Sequence, residues 1–170
     1  MRLPLRRLLA FVLLFAAMYA ALSQVWGKGL ARWVIDVATV EPAAWIARAL
    51  GAGAGIVADG SHLRSSQASI NVLYGCEGSD VLMLLAAAVL VTPVAWRARL
   101  LGLATGAAFV FAINQARVLA LFFAIRFHPA WFGPLHGLLA PLAVVASVGA
   151  FFLAWLRWIA PARLDHATGA

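Results

Sequence analysis

Three side chains in this sequence together have the chemistry of acyl transfer: Cys76, Arg117 and His136. A thiol can attack a carbonyl, an imidazole can take its proton, and a guanidinium can hold the oxyanion that results. Cys76 lies in Tyr74-Gly-Cys-Glu-Gly78, just ahead of an apolar run. The flanking glycines leave the backbone open to a ligand, and the free N–H groups and dipole of a helix start favour an anion. A lone membrane cysteine is more commonly a small buried hydrophobe. Arg117 follows Asn114 by three residues, which puts both on one helical face. One arginine near a helix end can simply snorkel to the interface. Two polar groups on one face of an apolar helix instead favour an internal site. His136 sits in Gly133-Pro-Leu-His-Gly137, where a lone histidine is more commonly a cap. Whether the three can act together depends on the elements that carry them.

Those elements are membrane helices. Of the 170 residues, 65% are hydrophobic and 11% charged, against roughly 45–50% and about 25% in soluble domains. A net charge of +7 raises nucleic acid as a partner, but the basic residues fall between apolar runs, where they set topology. One cysteine excludes an internal disulfide. A crossing helix needs about 20 apolar residues, and four stretches qualify: about 8–26, 81–96, 100–127 and 138–158. The expected fold class is therefore all-α integral membrane, a single domain over 1–170 with about four transmembrane helices. Arg117 lies 17 residues after Leu100, roughly 25 Å up the third helix and near the far edge of the hydrocarbon.

Arginines in short loops orient the chain. Arg2, Arg6 and Arg7, then Arg97 and Arg99 in a tight turn, then Arg157 and Arg163, share one side of a four-crossing topology. That side is the cytoplasm, so both termini are expected there. Lys28, Arg32, Arg48, Arg64 and Arg126 fall on the other side, most of them spread through one long loop. The basic start could alternatively be a signal peptide, but its apolar run exceeds the usual 7–15 residues, which favours a retained helix. Trp26, Trp96, Trp131, Trp155 and Trp158 lie near predicted helix ends, as an interfacial belt would place them.

The outer segment, about 27–79, is the only substantial extramembrane part. Leu30, Val34, Val37 and Ala38 have helical spacing up to Pro42, predicting two short amphipathic helices in the interface. Gly51–Gly55 breaks that pattern; Asp59-Gly60 signals a β-hairpin, and Ser69–Tyr74 alternates as a strand does. With this topology Cys76, Arg117 and His136 reach one membrane depth on the outer face.

Asn71-Val-Leu-Tyr-Gly-Cys-Glu-Gly78, Asn114-Gln-Ala-Arg117, His136 and the Arg97-Ala-Arg-Leu-Leu-Gly102 turn form an ordered set over about 69–156. This set resembles the signature of exosortases and archaeosortases, and the helix count is similar to a short member. The resemblance implies a cysteine protease or transpeptidase of the bacterial inner membrane, multi-pass, with its site facing the periplasm. It would act on membrane-anchored proteins that carry a C-terminal signal of motif, helix and basic cluster, then pass the product to a cell-surface acceptor. By residue matching, Cys76 is the nucleophile, His136 the general base and acid, and Arg117 the oxyanion or substrate-carboxylate partner. Glu77 and Asp80 match no role. No cofactor is implied. Two other readings stay open from the residues alone: a small transporter or membrane assembly subunit with a polar path at Asn114 and Arg117, and a zinc site from Cys76, His62, His128 and His136, which lack local ligand spacing.

Overall fold

The computed structural model describes the backbone of residues 2–51 and 55–167. Ala52–Ala54 of the glycine-rich break, and the side chains of Arg2, Lys28 and Arg163 used for orientation, lie outside the described residues. Helix makes up 79% of the structure, with one small sheet. Helix α1 (Arg2–Val25) leads into two wide, π-type runs, Trp26–Leu30 and Trp33–Val40, and then α2 (Glu41–Ala49). Strands β1 (Val57–Asp59), β2 (His62–Arg64) and β3 (Ser69–Asn71) follow. Helix α3 (Ser79–Val91) and the long α4 (Trp96–Phe127) come next. A 3₁₀ turn, Pro129–Trp131, then α5 (Phe132–Pro134) and a third wide run, Leu135–Leu139, lead into α6 (Ala140–Ala167).

Among the described residues three helical stretches are long and apolar enough to cross a membrane: Leu5–Val25, Trp96–Phe127 and Pro129–Ile159. Leu8, Leu13, Phe111, Leu142, Leu153 and Trp158 on these stretches are exposed. Faces of that size and apolarity suit lipid, where helices satisfy their own backbone, and they mark a membrane-associated protein. The second expected span is shorter than read from the sequence. Helix α3 has 13 residues, about 20 Å at 1.5 Å each, against a hydrocarbon core of about 30 Å. Pro93 follows its end, and Arg97 and Arg99 belong to the first turn of α4 rather than to a turn between helices.

Proline explains two of the three wide helical runs, Trp33–Val40 and Leu135–Leu139. Pro42 does not split the amphipathic segment, which stays helical from Trp26 to Ala49. Just ahead of it the Glu41 N–H reaches back five residues to the Asp36 carbonyl. The Ala140 N–H does the same to Leu135, just ahead of Pro141. A proline lacks the N–H and its ring crowds the carbonyl four residues back, so a widened turn before it relieves both. Helical structure begins earlier than expected, at Pro129, where the first turn needs no N–H from the proline, and His136 lies within the third wide run rather than in a loop before it. The buried stripe of the amphipathic segment is Ile35, Thr39, Val40, Ala43, Ala44 and Ala47, so Val37 faces outward, contrary to the spacing first read.

The sheet is antiparallel in the order β1-β2-β3. Asp59 pairs with His62, leaving Gly60 and Ser61 as the two turn residues, with glycine first as a II′ turn requires. Strand β3 ends at Asn71, shorter than expected, because Leu73–Cys76 turns back on itself. Leu63, Ile56 and Ile70 from the sheet, Val40 and Ala43 from the segment above it, and Val118, Leu119 and Phe122 from α4 form one core. A second core joins α3, α4 and α6 through Leu85, Val89, Val110, Val148, Trp155 and Ile159. Trp155 is thus an interior residue and not part of an interfacial belt; Trp96, Trp131 and Trp158 are exposed.

Candidate functional site

Cys76 is set by a turn and a helix start. The Cys76 N–H donates to the Leu73 carbonyl at 2.9 Å, with Gly75 third in the turn at φ +85°, the left-handed position a type II turn needs. Two residues later Gly78, at φ +88°, is the N-cap of α3. A Cβ on Gly78 would stand 3.0 Å from Asn114 Cγ, so glycine meets both the backbone angle and the close approach of α4. That approach sets the depth of Cys76 against the next helix.

Arg117 Nη2 stands 3.9 Å from Cys76 Sγ, the outer range of a donor–sulfur contact. Its Nε is buried without a partner among the described residues, so the side chain turns inward to the thiol rather than out along the helix. His136 is exposed and its ring stacks on Phe132, with centroids 5.4 Å apart and planes 4° from parallel. Cys76 and His136 line one cavity of about 160 Å³. One wall of it is β3 and its continuation, Ser69 to Val72; another is Val118, Leu121 and Ile125 of α4, with Phe132 beside His136. No hydrogen bond joins His136 to Cys76. The structure therefore brings the three predicted residues to one place, with Arg117 on the sulfur and His136 across the cavity.

A polar layer below the thiol was only partly legible in the sequence. Glu77, Asn114 and Gln115 are buried. Ser79 Oγ donates to Glu77 Oε1, while Glu77 Oε2, Asp80 Oδ1, Asn114 Oδ1 and Gln115 Oε1 are buried without a partner among the described residues. Buried acceptors of this kind are costly. Gln115 adjoins Asn114 in an apolar helix, which was the available signal. Tyr74 closes the other side of the turn, edge-on to Trp26 at 4.9 Å. Pairing with Tyr19 of α1, followed by partial burial, pushes its phenol up to about 12.

The zinc alternative does not assemble: among the described residues no three His, Cys, Asp or Glu side chains stand close enough to share an ion. Compared with protein-family models, curated proteins and solved structures, the chain matches none.

Proposed function

We propose that this chain is a membrane-embedded cysteine peptidase or transpeptidase of the exosortase type, acting on exported proteins with a C-terminal sorting signal. One observation carries the reading: the only thiol in the chain shares a cavity with His136 and has the Arg117 guanidinium against its sulfur. In this reading Cys76 Sγ attacks the scissile carbonyl carbon and its proton passes to His136. Arg117 faces the oxyanion. Collapse breaks the C–N bond, the leaving amine takes the proton from His136, and a thioester remains on Cys76. Water or an acceptor nucleophile then attacks the thioester and restores the thiol. His136 and Cys76 need to close on one another when substrate fills the cavity, as catalytic contacts commonly do.

The topology that serves this chemistry has four crossings, with α3 as a short crossing completed by its flanking turns. Both termini then face the cytoplasm of a bacterial inner membrane and the cavity opens outward. The short-loop arginines support it. A second reading, a transporter or assembly subunit with a polar path at Asn114 and Arg117, is favoured by Asn114 Oδ1 and Arg117 Nε, which are buried without a partner among the described residues.

The test is processing of a co-expressed reporter: an exported soluble domain, an extended segment, an apolar helix of about 20 residues and an arginine cluster. Cys76→Ala is expected to leave it full length, and Cys76→Ser nearly so, since a hydroxyl ionises far less readily than a thiol. Processing by Cys76→Ala at the wild-type rate ends the peptidase reading and leaves the transporter one. A cytoplasmic reporter inserted near Ser61 is expected to be inactive; activity there overturns the orientation.

A further inference from the structure

The two edges of the small sheet are treated differently. On β1 the carbonyl of Ile56, just ahead of the strand, accepts from Arg48 Nη1 at 2.9 Å, and α2 packs beside it. On β3 the edge is open. Residues along an antiparallel ladder alternate between facing the partner strand and facing away. The Val72 N–H donates to Ser61, and the Ser65 N–H to Ala68, each at 2.8 Å, while Ile70 pairs with Leu63. Ala68, Ile70 and Val72 therefore aim their backbone groups at β2. Ser69 and Asn71 aim theirs outward; both residues are exposed, and among the described residues nothing bonds to those outward groups.

Bare edges template another strand, and proteins usually cover them. This one is left open where it forms a wall of the cavity that holds Cys76 and His136. The cavity's 160 Å³ is below the roughly 300–1,000 Å³ of pockets that enclose a whole ligand. It fits a side chain of an extended peptide running along the edge, where alternate residues point the same way.

We propose that the recognition segment of the protein substrate binds as an added strand on β3, pairing with the outward N–H and C=O groups of Ser69 and Asn71 and laying its scissile carbonyl beside Cys76. This rests on the peptidase reading. Affinity then comes from the main chain, and choice of sequence from the one or two side chains that enter the cavity between Ile125 and His136.

Proline provides the test, because an edge strand tolerates it where the N–H faces away from the sheet. Ser69→Pro and Asn71→Pro each keep the β2–β3 pairing and delete one outward donor. Each is expected to slow reporter processing about tenfold while the protein accumulates as wild type does; full activity in both overturns the proposal. Should the proline chains fail to accumulate, disulfide trapping decides. In a Cys76→Ala, Asn71→Cys chain, single cysteines placed along the reporter's extended segment are expected to cross-link at every second position. A period of three to four, a uniform pattern or no cross-link overturns strand addition. Trapping needs no turnover, so the two failures separate. Alternating cross-links beside an active Cys76→Ala chain sink the cysteine mechanism alone, and an essential Cys76 without alternation sinks strand addition alone.

Discussion

At one end of α4, Val118, Leu119 and Phe122 pack against the sheet and the segment that covers it; at the other, the backbone itself is the contact surface. A Cβ on Gly102 would meet the Trp155 ring at 2.7 Å, and one on Gly106 would meet Leu85 Cδ2 at 2.7 Å. The first end is built as a soluble domain is, from aliphatic side chains interlocked beneath hydrogen-bonded strands. The second follows membrane logic: lipid is as apolar as leucine, so helices gain by close approach, and small residues four apart permit it. Cys76 lies at the border, on the edge of the first core and at the start of the helix that enters the second.

Breaking the first end is expected to have the largest effect. Phe122 is fully buried beneath the sheet, and Phe122→Ala should remove about 3–5 kcal/mol from that core. Limited proteolysis should then open the 57–72 region while the α3–α4–α6 bundle stays protected; equal opening of both ends would mean a single cooperative unit. Arg117→Lys sharpens the border. It keeps the charge but loses the planar fork beside the sulfur, and reporter turnover should fall on the order of 10²–10³, or about 2.7–4 kcal/mol. Near wild-type turnover would reduce Arg117 to a solvating cation.

At the second end, Gly102→Ala drives a methyl into the Trp155 ring and should cost about 1–3 kcal/mol by overpacking. Adding Trp155→Phe should recover part of it, and a double-mutant cycle without coupling would refute the close contact. The smallest effect concerns Tyr74. With its pKa raised from 10.0 to about 12, the contribution of the Tyr19 pairing is fully present below pH 10 and is lost as pH rises through 12. The chain has two tyrosines, so tyrosinate absorbance in Tyr19→Phe reports Tyr74 alone. Its midpoint should move back toward 10; an unchanged midpoint would show that α1 does not touch the turn.

Much of this was local enough to be read from the chain alone. Apolar runs of spanning length force helices because lipid offers no other partner for the backbone. Asp59-Gly60 marks a hairpin because glycine admits the turn's backbone angles. Cys76, Arg117 and His136 were expected together because a four-crossing topology brings the ends of their three segments to one side, and the structure brings Cys76 against Arg117 and into one cavity with His136. What depended on neighbours distant in sequence was not readable. Trp155 resembles an interfacial tryptophan until a bare glycine 53 positions earlier makes room for its ring. Pro42 reads as a break, whereas the helix continues through it by widening the turn ahead of it. Arg117 could equally snorkel until the Cys76 turn, 41 residues away, gives its guanidinium a sulfur to face. The open edge of β3 exists only because α2 and Arg48 cover the opposite one and α4 holds the sheet against the cavity. Periodicity encodes which face of an element is apolar; which surface meets that face is decided by the other elements, and only tertiary structure brings them together.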